Sequence, residues 1–162
     1  MKKGKLLSVV VVVCMLLLPV MGLFAGGETE SETQDKPVVG LVMKSLANEF
    51  FKTMEEGARK FAEDGTFELI PVGMNSETDI DTQINAMENF ITKQVDLIVL
   101  APADSVGLVA SVKKAIDAGI TVVNFDVTLD KKALQDAGLP KDFLFVGPDN
   151  AAGAEIVGDY LG

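Results

Sequence analysis

Within VMKSLANEFF (42–51), a cation, an amide and two aromatic rings fall inside eight residues: Lys44, Asn48, Phe50 and Phe51. Farther along, ITVVNFD (120–126) ends on the carboxylate of Asp126. A packed core would use the rings without Lys44 and Asn48, and a solvated loop would use the polar groups without the rings. A small ligand with polar edges and C–H faces, such as a sugar, uses all of them. A carboxylate accepts from two hydroxyls at once, an amide both donates and accepts, and an ammonium donates. Aromatic rings cover C–H faces and exclude water from the hydrogen bonds beside them. In that division Asp126 is the fixed acceptor, Asn48 the two-way partner and Lys44 the donor.

Each residue also has a plainer reading. Phe50 falls in a helical stripe with Met54, Ala58 and Phe61, so core and cleft are both open to it. Phe51 lies about 100° round the helix and is the ring expected over the cleft. Asn48 fits a helix N-cap as well as a ligand group. Lys44 can be a solvated strand-end cation, and Asp126 can cap a turn. Asp104 reads as a helix cap, and Arg59, the one arginine, as a surface residue.

These residues need a scaffold, and the hydropathy pattern supplies one. Apolar runs of strand length occur at 38–43, 67–72, 96–101, 120–125 and 143–147. Most do not alternate with polar residues, as expected of strands covered on both faces. Between them lie one-sided helical stripes over 49–63, 79–93 (Ile80, Ile84, Met87 and Ile91) and 105–118, with a short helix expected over 129–138. Asn48, Thr78 and Asp104 or Ser105 are the expected N-caps, and Gly65 and Gly119 the expected stops. Strand and helix in alternation predict an α/β fold with a doubly wound parallel sheet. Ligands of such sheets bind at the carboxyl ends of the strands. Lys44, Asn75, Asp104, Asn124 and Asp126 all fall at or just beyond those ends.

Composition removes several chemistries. The only cysteine is Cys14 and there is no histidine, which excludes a disulfide framework, imidazole ligation and Ser-His-Asp catalysis. Residues 1–25 read as a secretory signal peptide: three lysines in MKKGK, an uncharged run over 6–24, and small residues at Ala25-Gly26-Gly27. Residues 26–37 (GGETESETQDKP) read as an acidic, disordered tether. Of the 14 Lys+Arg residues, three belong to that leader, which leaves 11 against 24 Asp+Glu. Such an acidic balance argues against nucleic acid and anionic lipid as partners. No G-x-G-x-x-G follows the first strand and no P-loop occurs, so no nucleotide cofactor is indicated. Asp79-Ile-Asp81 begins like a calcium loop, but Ile84 and Phe90 stand where glycine and glutamate are needed, and no metal is expected.

The segments VMKSLANEFF, VDLIVLAPAD, ITVVNFD and GPDNAAGAEIVGDYLG together carry a family resemblance. From Val38 to Gly162 the chain resembles the periplasmic sugar-binding proteins of ABC transporters, the ribose-binding-like branch of the type I solute-binding proteins. The resemblance implies an N-terminal lobe over 38–147, with 148–162 crossing the hinge into the first helix of a second lobe. It implies a periplasmic protein that binds a monosaccharide or polyol and delivers it to an ABC import permease, without catalysis or cofactor. A chemoreceptor is a further partner of some such proteins. Carried over by position, Asn48 resembles the partner of a sugar hydroxyl, Phe50 and Phe51 the stacking rings, and Asp126 the bidentate carboxylate. Asp149 and Asn150 fall at the hinge, on the second-lobe side.

Three positions depart from the ribose-binding pattern. Val127 stands where that pattern has arginine, Lys44 where it often has a small hydroxyl residue, and Ala101 where it has asparagine. A lysine at the end of strand one resembles the autoinducer-2-binding relatives, so a pentose, a polyol and a furanose-like signal all fit. Family members have two lobes, so this sequence is expected to be a fragment or a precursor truncated past the hinge. The reading from a different class is an α/β sugar-processing enzyme with Asp126 as general base.

Overall fold

The computed structural model describes residues 36–162. The expected signal peptide, and the expected tether up to residue 35, lie outside the described residues. Five strands form one sheet: β1 (Val38–Ser45), β2 (Glu68–Met74), β3 (Leu97–Leu100), β4 (Thr121–Phe125) and β5 (Phe145–Val146). Their spatial order is β2-β1-β3-β4-β5 and every pair is parallel. The chain order reverses at β1, which lies between β2 and β3. Helices connect the strands: α1 (Glu49–Ala62), α2 (Ile80–Lys93), α3 (Val109–Asp117), α4 (Lys131–Asp136) and, after β5, α5 (Asn150–Leu161). This is the doubly wound α/β architecture that the hydropathy pattern predicts.

Successive residues of β1 feed opposite layers, because side chains alternate along a strand. Val42 joins Met87, Phe90, Ile98, Leu100, Val112 and Val122 in the larger core beneath α2 and α3. Leu41 and Met43 join Phe51 and Ala101 in the smaller core beneath α1. Gly40 lets α2 sit close, since a Cβ there would meet the ring of Phe90. Gly73 does the same for the β1–α1 loop: a Cβ at the end of β2 would strike the side chain of Leu46.

The helix starts partly match expectation. Asn48 caps α1, accepting from the Phe50 amide at 3.0 Å. The cap of α2 is Asp79, one residue beyond the expected Thr78; its carboxylate accepts from Thr82 N. Neither Asp104 nor Ser105 caps α3, which begins later, after Leu108. Asp104 instead closes a turn, accepting from the amides of Val106 and Gly107.

Two stripes sit differently from their expected register. The inward line of α1 runs through Phe51, Met54 and Ala58, while Phe50 and Phe61 are exposed. In α2 the buried residues are Gln83, Ala86, Met87 and Phe90, with Ile80, Ile84 and Ile91 only partly covered. The last helix, α5, packs on nothing described: Ile156, Val157, Tyr160 and Leu161 are all exposed. Among the described residues no helix is long and apolar enough to cross a membrane.

Candidate functional site

The register of β1 against β2 shifts between Val42 and Ser45, before Ser45 pairs again with Met74, and Lys44 stands in this irregularity at the rim. Its ammonium lies 3.5 Å from Glu77 Oε2 and 3.9 Å from Asp126 Oδ2, with side-chain exposures of 18%, 44% and 22% respectively. It also stands 5.4 Å from the centroid of the Phe51 ring, within the range of a cation–π attraction. Asn48 donates from Nδ2 to Glu77 Oε1 at 3.3 Å while its Oδ1 holds the Phe50 amide. Lys44, Asn48 and Asp126 therefore belong to one polar cluster.

Phe51, the ring expected over the cleft, is turned inward, and Phe50, for which core and cleft were both open, is the outward one. Phe51 is buried at 4% exposure in the α1 core, and Phe50 is 58% exposed. The reason is the register of α1, whose inward stripe starts at Phe51. The rings meet edge to face with centroids 5.2 Å apart. Phe50 is thus the ring available for stacking, and Phe51 supports both it and the lysine from beneath. Phe50 and Asp126 share an apolar cleft of about 400 Å³ with Met54, Phe125 and Pro148. A wider cleft of about 680 Å³ leads from Asp126 and Thr128 to Asp149 and Asn150. Asp149 caps α5 by accepting from Ala152 N, and Asn150 is the first residue of that helix. Arg59, paired with Glu55 at 2.7 Å, is a surface residue as expected.

Asp126 has φ +63, one of two described non-glycine residues with positive φ. This left-handed conformation costs an L-residue energy and recurs at ligand sites. It is held from behind by Asn124, which is 1% exposed. The Asn124 amide donates to the carbonyls of Leu100, Phe125 and Val127, at 2.7 Å for the last, and its oxygen accepts from Leu129 N. Gln83, fully buried on α2, performs the matching task at β1 and β3. Its Nε2 donates to Met43 O and Ala101 O, and its Oε1 accepts from Ala103 N at 2.8 Å. Two buried amides thus fix the three strand ends that carry the rim.

Sequence reasoning did not single out Glu77 or Gln83. Gln83 could have been found as a polar residue at an inward helical position, one turn before Met87. Glu77 carries no such signal, because only the packing of the β2–α2 loop against the β1–α1 loop brings it to Lys44. Asp104 stands apart from this cluster, occupied by its own turn. Its carboxyl is held below the usual value of 3.8 by the Gly107 and Val106 amides. Among the described residues no group of three His, Cys, Asp or Glu is placed to hold a metal ion.

The profile of the periplasmic binding protein domain matches residues 39–162. A D-ribose/D-allose-binding protein of Pseudomonas aeruginosa is 48% identical over 160 residues, covering 96% of this chain and 47% of the relative. Among solved structures, a solute-binding protein of an ABC transporter from Burkholderia multivorans superposes with a TM-score of 0.71 at 55% identity. It covers 78% of this chain and 44% of its own, and holds an unidentified ligand built as α-D-erythrofuranose. A periplasmic solute-binding protein from Actinobacillus succinogenes with bound D-allose superposes at 0.66 and 39% identity, covering 71% of this chain and 40% of its own. The chain spans about half the length of the curated relative it matches. Matched to that domain from residue 39 to residue 162, the chain belongs to the periplasmic binding protein family.

Proposed function

We propose that the rim formed by Lys44, Asn48, Phe50 and Asp126 is one wall of a site for a neutral monosaccharide or polyol. The bound solute is then delivered to an ABC import permease. The observation that carries this reading is the convergence of an ammonium, an amide and a carboxylate beside an exposed ring. After its internal contacts Asn48 keeps one N–H and one lone pair for a ligand, and Asp126 keeps most of its acceptor capacity. The cluster has two carboxylates and one ammonium, which disfavours anionic ligands and suits neutral hydroxyls. The Pseudomonas relative is named for D-ribose and D-allose, and the Actinobacillus structure holds D-allose; both are neutral and hydroxyl-rich.

In this reading residues 1–25 direct export to the periplasm and 26–37 form the tether. Residues 38–147 form the ligand-binding lobe, and Asp149 and Asn150 mark the passage toward a second wall. The protein binds without turnover, and no cofactor takes part. Hydrogen bonds on an open wall compete with water and net only about 0.5–1.5 kcal/mol each. They must also offset an association cost of about 4 kcal/mol or more, so this one wall alone should bind at millimolar affinity or weaker, and micromolar binding needs a second wall.

Isothermal titration with D-allose, D-ribose, D-fructose and myo-inositol, alongside product analysis, tests the proposal. The protein expressed from its own gene should bind one of these at micromolar affinity and return it unchanged. Sugar turnover that disappears in Asp126→Ala would replace the binding reading with the enzymatic one.

A further inference from the structure

Among the described residues, Glu77 is the one group that makes polar contacts with both Lys44 and Asn48. Its two oxygens are divided between them: Oε1 accepts from Asn48 Nδ2 at 3.3 Å, and Oε2 faces the Lys44 ammonium at 3.5 Å. We propose that Glu77 is a positioning residue for the ligand, one that orients Asn48 and Lys44 toward the rim. The inference rests on the ligand reading above and adds a residue to it.

The argument starts from what each side chain does without Glu77. Asn48 would still cap α1 through Oδ1, because the Phe50 amide lies 3.0 Å away. Its NH2 end would have no described protein partner and would turn with solvent. With Glu77 in place both ends of the amide are engaged, so the plane of the group is set and the remaining N–H points in one direction. Lys44 has a four-carbon stem and three rotatable donors. Asp126 alone, at 3.9 Å, is an ion pair without hydrogen-bond geometry. The second carboxylate, at 3.5 Å, holds the ammonium between two anions and above the Phe51 ring, which restricts where the charge stands.

The two loops are built to meet. The Leu46 amide donates to Met74 O at 3.3 Å, and glycine at position 73 lets Leu46 lie against the end of β2. The β2–α2 loop is closed by the Asp79 amide on Ser76 O and capped by the Asp79 carboxylate. Glu77 therefore reaches Lys44 and Asn48 from a short, anchored loop. An ordinary exposed ion pair contributes little to stability. Glu77 should accordingly affect ligand affinity and leave thermal stability nearly unchanged.

The test uses the protein expressed from its own gene, with Glu77→Ala and Glu77→Gln, and three readouts. These are the melting temperature, the Asn48 side-chain amide signals in ¹⁵N-labelled ligand-free protein, and calorimetric titration with D-allose. In Glu77→Ala the Asn48 amide signals should move, and affinity should fall about tenfold, the scale of one charge-assisted hydrogen bond. Glu77→Gln still accepts from Asn48 and should keep its amide signals near wild type, with an intermediate affinity. If wild type binds D-allose and Glu77→Ala binds it as tightly or more tightly, Glu77 is not a positioning residue, whatever the amide signals do. If wild type binds none of the four ligands but the Asn48 signals move in Glu77→Ala, the anchoring stands and the sugar reading falls. If neither binding nor a signal change is seen, both are overturned.

Discussion

On one face of the sheet, α2 and α3 close over Val42, Ile98, Leu100 and Val122, burying Phe90, Met87 and Val112 almost completely. On the other, α1 is the one described helix that covers Leu41, Met43 and Ala101. Beside it Val99, Val123 and Phe125 remain partly open, lining the cleft of about 400 Å³ with Phe50 and Met54. The same sheet thus has a finished face and an open one. Free energy of folding scales with apolar area removed from water, so the finished face supplies most of the stability. The proposed ligand groups stand on the rim toward the open face, where the ring of Phe50 remains accessible. Substitutions should therefore separate: those on the closed face affect folding, and those toward the open face affect binding.

The largest effect is expected at Phe90. Phe90→Ala empties the center of the closed core and should cost about 3–5 kcal/mol in urea denaturation. Phe50→Ala removes a ring of the same size from the open side and should change stability by about 0.5 kcal/mol or less, while weakening sugar binding. Equal losses from the two substitutions would show that α1 and its cleft belong to the folding core as fully as α2 does.

Asn124 tests the boundary between the faces. Asn124→Ala strands the carbonyl of Val127 and the amide of Leu129 in a buried site, at a cost of about 1–3 kcal/mol. Because this amide holds the loop carrying Asp126, the same variant should also lose ligand affinity. A stability loss with affinity unchanged would mean that Asp126 keeps its place without Asn124.

Asp126 should move the two properties in opposite directions. With φ +63 the position suits glycine, so Asp126→Gly should relieve up to about 1 kcal/mol of backbone strain. The same change removes the carboxylate and should abolish binding. A destabilised Asp126→Gly would show that the 3.9 Å pairing with Lys44 outweighs the backbone strain.

The fold was legible because its signals are local and repeated. The apolar runs over 38–43, 96–101 and 120–125 each correspond to a strand, within a residue or two at their ends. Asn48, Gly65 and Gly119 punctuate the helices where expected, the glycines with positive φ. The polar cluster at the rim was legible in its composition and less so in its geometry. Strand ends placed Lys44 and Asp126 on the rim, but a stripe counted from Phe50 turned Phe51 outward, where the structure buries it. The choice depends on the angle at which α1 leaves the β1 loop, and sequence spacing does not record that angle. Glu77 was invisible for a similar reason: 33 residues separate it from Lys44, and only β2 pairing beside β1 joins their loops. Gln83 was passed over because three isoleucines on the same helix suggested a neighbouring stripe.

The smallest effect is expected at Asp104, which lies on the rim but outside the cluster. Its carboxylate accepts from Gly107 N at 2.6 Å and from Val106 N at 2.9 Å. These two bonds, the Gly107 one first, favour the ionised form and hold the group below its usual 3.8. A group whose folded value is depressed stabilises the protein at pH above its unfolded value, and the contribution is lost as pH falls through the folded value. Wild type should therefore exceed Asp104→Ala in denaturation midpoint by a small, constant margin at neutral pH. The margin should narrow as the pH drops below 3.8 toward the lower folded value. The turn is exposed, so the difference should be modest at every pH, and sugar affinity should not follow it. A margin that widens on acidification would reverse the sign and mean that the protonated acid is the better partner. A parallel loss of sugar affinity would instead move Asp104 into the ligand cluster and extend the binding wall across β3.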